Sequence, residues 1–107
     1  MEINPEKALA FIQNNALPFA EAKGERIYLE NFIKTVKAQE MNISKSASLG
    51  QKEQDAYASE NYQLICEALR DAVIKEEQLK WKLTAAQAKI EVFKTMEYSK
   101  RAEMRNL

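Results

Sequence analysis

The segment from Ser59 to the C-terminus contains neither glycine nor proline, and its apolar residues recur at spacings that alternate between three and four. The positions with this spacing are Tyr62, Ile65, Leu69, Ala72, Glu76, Leu79, Leu83, Ala86, Ile90, Phe93 and Glu97. An average spacing of 3.5 residues between packed positions, kept over a segment of this length, is typical of a helix that packs lengthwise against another long helix. The pattern therefore predicts one helix over about 59–104, packed through this line of residues, which we call the seam.

The large apolar residues of the seam are expected to provide most of its packing. They are Ile65, Leu69, Leu79, Leu83, Ile90 and Phe93. A change of Leu83 to Asp should abolish the cooperative fold, because it would place an unpaired charge among them. Glu76 interrupts the seam near its middle, and we expect it to fix the register of the packing. Glu97 lies near the end and is expected to be exposed.

Helix signals also divide the N-terminal part of the chain. Asn4 is a suitable N-cap, and a short helix is predicted over about 5–14. Pro18 lacks a backbone N–H and should end that helix. A second, amphipathic helix is then predicted over about 18–41, because its apolar residues recur at helical spacing.

The segment of about 42–58 loses this periodicity and collects serines, as is typical of a connection. Ser48 and Gln51 have the spacing of a capping box, which predicts a helical turn over about 51–57. Ser59 is the expected N-cap of the long helix that follows.

The whole chain has two glycines and two prolines, too few for the turns of a β-sandwich or barrel of 107 residues. We therefore expect an all-α fold in a single domain over residues 1–107. Its architecture should be a long, coiled-coil-like antiparallel helical hairpin with a short N-terminal helix.

A second apolar line follows another face of the long helix. It consists of Trp81, Ala85, Ala88, Val92 and Met96, and we call it the stripe. The helix of 18–41 is long enough to cover only about half of the long helix, and two apolar lines imply two neighbours. We predict a homo-oligomer, with a dimer favoured, and place Trp81, Val92 and Met96 at the contact. The alternative is a monomer in which the first helix covers the stripe. Parallel and antiparallel dimers both satisfy the pattern.

Few residue types suited to catalysis are present. The chain has no histidine and one cysteine, Cys66, which we expect to be a small, partly buried apolar residue. Two carboxylate pairs at helical spacing, Glu21 with Glu25 and Glu67 with Asp71, are interpreted as solvated surface, because a metal site needs several converging oxygens. We expect no enzyme activity, cofactor or metal.

Charge favours no particular class of partner. Sixteen Lys and Arg balance sixteen Asp and Glu, although residues 75–107 carry a local excess of basic residues. The residues that could contact nucleic acid are Lys82, Lys89, Lys94, Lys100 and Arg101. Basic residues near a helix C-terminus are also what the helix dipole favours, so weak, salt-dependent nucleic-acid binding is the second hypothesis. No segment approaches the ~20 apolar residues of a membrane span, and we expect a cytoplasmic protein without membrane contact.

Several stretches of the chain together resemble small bacteriophage and prophage proteins that form helical hairpins and whose function is uncharacterised. These stretches are 22–30, 56–62, 69–73, 79–83, 88–94 and 101–103. The resemblance implies a phage-derived hairpin of the kind often encoded near recombination or single-strand-binding functions, and it implies no catalytic residue. We therefore expect a non-enzymatic protein that acts by self-association and by binding an unidentified protein, as an accessory to phage DNA metabolism.

Overall fold

The computed structural model describes residues 2–106. Among them are three helices: α1 (Pro5–Ile43), α2 (Leu49–Ala58) and α3 (Glu60–Arg105). This part of the chain has no strand, and the prediction of an all-helical fold is confirmed. No helix in the same range contains a stretch apolar and long enough to cross a bilayer.

The predicted break between the helices of 5–14 and 18–41 is wrong, because α1 continues through Pro18. Proline removes the N–H that would bind the carbonyl of Asn14, four residues earlier. Both Pro18 and Asn14 are exposed, so water can bind the freed carbonyl. Asn4 caps the helix as predicted, since its Oδ1 accepts a hydrogen bond from the backbone N–H of Lys7 at 3.0 Å.

The less exposed residues of α1 explain why the helix does not stop. They include a line with the same alternation of three and four as the seam, and the line passes Pro18 without a change of phase. Its members are Pro5, Ala8, Ile12, Asn15, Phe19, Ala22, Arg26, Leu29, Ile33, Val36 and Glu40. A continuous packed face of this kind stabilises a long helix more than local propensity does. Packing therefore offsets the local cost of the proline.

The connection after α1 is held by a group of polar side chains around Asp55. The hydroxyls of Ser44 and Ser46 each donate a hydrogen bond to Asp55 Oδ2 at 2.7 Å. The side-chain amide of Gln51 donates to Oδ1 at 3.0 Å. These three donors lower the pKa of Asp55, because they stabilise its ionised form.

Two serines set the ends of the short helix α2. Ser48 Oγ accepts from the backbone N–H of Gln51 at 3.1 Å, which is the predicted cap. Ser59 Oγ accepts from the backbone N–H of Tyr62 at 3.1 Å and donates to the carbonyl of Ala56 at 2.7 Å. One side chain thus ends α2 and begins α3, so the two helices are separated by a single residue.

The contacts of the chain form two compact units. The unit of residues 20–76 is an antiparallel hairpin: Arg26 pairs with Glu76, and farther along α1 Glu40 accepts a hydrogen bond from Asn61 at 2.6 Å. Lys37 joins α1 to α2 through Glu53, with 2.6 Å between Nζ and Oε1. This ion pair raises the pKa of Lys37 and lowers that of Glu53.

The other unit contains residues 1–19 and 77–107, of which 2–19 and 77–106 are described. In it the first part of α1 packs with the second half of α3, where Ala8 and Ala86 are buried. The second half of α3 therefore has a helical neighbour within the chain, supplied by the part of α1 that precedes residue 20.

Candidate functional site

Burial along α3 follows the seam position by position. Ala72, Glu76 and Ala86 are buried, and the other eight seam residues, including Leu69, Leu83 and Phe93, are intermediate in exposure. All remaining residues of Glu60–Arg105 are exposed. Glu97, expected to be exposed, is intermediate. The seam is thus the face of α3 that meets the rest of the chain.

Glu76 is 9% exposed, and its carboxylate is in polar contact with Arg26 of α1. Arg26 donates to both of its carboxylate oxygens: Nη2 lies 3.1 Å from Oε1, and Nε binds Oε2. Arg26 also donates to Glu30, one turn farther along α1, at 3.0 Å. The hydrogen bonds to Glu76 and then Glu30 raise the pKa of the guanidinium. This partner was not identified from the sequence, although Arg26 occupies a position in the packed line of α1.

The stripe lies on the open side of α3. Trp81 is 63% exposed, Val92 45% and Met96 41%, and the two alanines between them are also exposed. The indole of Trp81 donates a hydrogen bond to Glu77 Oε2 at 3.1 Å, which holds the ring along its own helix. The alternative in which α1 covers the stripe within a monomer is therefore wrong: α1 packs on the seam and leaves the stripe open.

The five candidate nucleic-acid residues fall into two groups. Lys94 pairs with Glu91 at 3.4 Å and Lys100 with Glu97 at 3.6 Å. The guanidinium of Arg101 lies over the ring of Tyr98, 5.9 Å from its centre. These three basic groups therefore have partners on their own helix, and their attraction for phosphate is reduced accordingly.

Lys82 and Lys89 form the second group and line a groove of about 580 Å³ between α3 and the start of α1. The lining residues are Glu2, Ile3, Asn4, Lys7, Ala8, Phe11, Lys82, Ala85, Ala86 and Lys89. The groove exists because alanines form its floor where the two helices meet. Among the described residues, no carboxylate lies within ion-pairing distance of Lys82 or Lys89. Lys7, which the sequence reasoning missed, adds a third ammonium group.

The remaining candidate residues form no reactive cluster in the described range. Glu67 and Asp71 are exposed, as are Glu21 and Glu25, and no group of three or more acidic or cysteine side chains within residues 2–106 could hold a metal ion. Cys66 is exposed, so the expectation that it is partly buried is wrong. It lies one position beyond the seam residue Ile65, on the solvent side of the helix.

The chain matches no protein-family model, and searches of curated proteins and of solved structures find no relative. The resemblance to phage hairpin proteins therefore stays an expectation.

Proposed function

We propose that this chain is a non-enzymatic interaction protein that self-associates as a dimer through the stripe of α3. The observation that carries the proposal is the exposure of Trp81, Val92 and Met96 along one face of a helix whose opposite face is already packed. A contiguous exposed apolar surface is typical of an interaction site. Its burial in an interface contributes about 25 cal/mol per Å² of apolar area.

The five stripe positions suit a second helix as the partner. None of them is charged, and their spacing of four, three, four and four keeps them on one side of α3. Ala85 and Ala88 lie between the large residues and allow another helix to approach closely. The seam is not the dimer surface in this proposal, because α1 already packs on it, including in the second half of α3.

The proposed biological setting of this dimer is a bacteriophage or prophage. A phage or prophage origin is supported by the sequence resemblance, and the dimer would present its remaining surface to a component of phage DNA metabolism or to a host protein. Nucleic-acid binding has less support, because Lys94, Lys100 and Arg101 already have partners on α3.

Sedimentation velocity on two matched valine variants tests the proposal. Val92 in the stripe and Val73 outside it are both on α3 and both exposed, at 45% and 37%. We expect Val92→Lys to convert the dimer to a monomer while helicity by circular dichroism is unchanged. Val73→Lys should leave the dimer intact. A wild-type protein that sediments as a monomer at all accessible concentrations would refute the proposal.

A further inference from the structure

The charges beside the stripe differ in sign on its two flanks. Lys82 and Lys89 follow one flank, on the side of the groove. Glu77 and Glu91 follow the other flank, and both side chains are at least half exposed. At 100° per residue these two pairs lie on opposite sides of the line from Trp81 to Val92, where they correspond to the e and g positions of a heptad.

We propose that the second copy of the chain binds in parallel, with its α3 pointing in the same direction, and this inference rests on the proposed dimer. Glu77 and Glu91 occupy g positions, and Lys82 and Lys89 occupy e positions. Parallel helices place each g position of one copy against the e position of the other copy that lies five residues farther along. Glu77 of each copy then meets Lys82 of the other. The dimer contains this pair twice because of its twofold symmetry.

An antiparallel dimer would bring like charges together. Matching Ala85 of one copy with Ala88 of the other places Lys82 beside Lys89 of the second copy, since antiparallel helices bring equivalent flanks into contact. Like charges at these positions oppose association and act as a specificity device. The two flanks therefore select an orientation that the apolar spacing alone leaves open.

The ion pairs within one chain are consistent with this role. Lys82 and Lys89 have no carboxylate partner among the described residues, whereas Lys80, Lys94 and Lys100 each have one on α3. Glu77 is 3.9 Å from Lys80 and also accepts from Trp81. The distance to Lys80 is long for an ion pair, and a half-exposed carboxylate has acceptor positions left for a further cation.

Charge reversal tests the pair directly. We expect Glu77→Lys and Lys82→Glu each to raise the dissociation constant of the dimer about fivefold or more at low salt, and the double variant to restore most of the affinity. Lys94→Glu is the control, because Lys94 lies away from the stripe, and it should leave the dissociation constant within about twofold. If the double variant lost as much dimerisation free energy as the two single variants lose together, the proposal would be contradicted.

Disulfide crosslinking tests the orientation independently. In a Cys66→Ser background, Ser99→Cys introduces a thiol two heptads beyond Ala85 on the same face. In a parallel, in-register dimer the two introduced thiols adjoin and form a disulfide under mild oxidation. In the antiparallel alignment they lie on the order of 35 Å apart at 1.5 Å per residue. Gln87→Cys, on another face of α3, is the control that should remain reduced.

The outcomes separate this inference from the function on which it rests. A monomeric wild-type protein overturns both. A dimer that Val92→Lys dissociates, but in which Ser99→Cys forms no disulfide and the charge reversal restores nothing, overturns the parallel orientation alone.

Discussion

Arg26 of α1 and Glu76 of α3 form a two-point ion pair in which both carboxylate oxygens accept a hydrogen bond from the guanidinium. Each residue occupies a position in the packed line of its own helix, where the neighbouring positions are mostly apolar. A charged pair in this setting specifies which residues face each other, because a shift in register would leave both charges without their partner. Within residues 20–76, the pair therefore fixes the alignment of α1 and α3.

Glu76→Ala should lower the melting temperature by several degrees, because Arg26 would keep its charge in a half-buried site and lose its main partner. Glu30→Ala is the matched control: Glu30 also accepts from Arg26 but its side chain is about half exposed, at 47%, and its loss should change the melting temperature little. Differential scanning calorimetry of the two variants measures the comparison. Equal effects would show that position 76 has no special role.

The pair is expected to contribute alignment more than stability. Replacing Arg26 and Glu76 together with leucine should give a protein at least as stable as the wild type, since apolar side chains avoid the cost of desolvating charges. If α1 and α3 no longer adopt one unique alignment in this variant, its amide resonances in NMR spectra should be broadened. A double variant less stable than Glu76→Ala would mean that the ion pair itself is a major source of stability.

Asp55 makes stability depend on pH in the acid range. Hydrogen bonds from Ser44, Ser46 and Gln51 lower the pKa of Asp55 in the folded chain. Ionised Asp55 therefore contributes to the free energy of unfolding in full above its pKa in the unfolded chain, which is about 4. The contribution is lost as the pH falls through the lower, folded pKa. Asp55→Asn should thus be less stable than the wild type at neutral pH, and the difference should shrink below about pH 4.

Thermal melts of the wild type and Asp55→Asn across the acid range check this dependence. Glu67→Gln is a suitable control, because it also replaces a carboxylate by an amide and Glu67 is exposed on α3. A difference between wild type and Asp55→Asn that stays constant from neutral pH to about pH 2 would contradict the assigned role.

Pro18→Ala should stabilise the protein. Alanine restores the N–H that binds the carbonyl of Asn14 and removes the ring that crowds it, in a helix that is continuous through this position. We expect the free energy of unfolding to rise by about 1–3 kcal/mol, measured by chemical denaturation. Leu17→Ala, at an exposed neighbouring position, should change it by less than about 0.5 kcal/mol. Destabilisation by Pro18→Ala would mean that α1 bends at this point in solution.

Leu83→Asp should remove the cooperative thermal transition, because it places a carboxylate in the seam without a partner. The expected cost is about 3 kcal/mol or more, a large share of the stability of a small domain. Leu64→Asp provides the comparison, since Leu64 is on the same helix and 54% exposed. Similar melting curves for the two variants would be evidence against seam packing.

The bounds and the packed face of α3 could be predicted from the sequence because most residues of its seam are apolar. Within Glu60–Arg105, the eleven positions chosen by spacing are the eleven that are not fully exposed, although Glu97 among them was expected to be exposed. The corresponding line of α1 was harder to find, since Asn15 and Arg26 interrupt it and Pro18 lies within it. The local cost of a proline can be estimated from sequence, whereas the packing that offsets it depends on the opposite helix.

In the candidate site, too, some features could be predicted from residue spacing and others depend on the fold. The stripe of Trp81, Val92 and Met96 was visible as a second periodic line. The ion pairs that occupy Lys94 and Lys100, and the groove that brings Lys7 to Lys82, depend on side-chain positions that spacing does not give. These contacts separate the basic residues into paired and unpaired groups, from which the parallel orientation is inferred.

The most direct test of the central claim is sedimentation velocity of the wild type beside Val92→Lys and Val73→Lys over a range of concentrations. The account predicts a wild-type dimer, a folded Val92→Lys monomer and a Val73→Lys dimer. A monomer for all three proteins, or a dimer that Val73→Lys and Val92→Lys disrupt equally, would contradict the assignment of the stripe as the self-association surface.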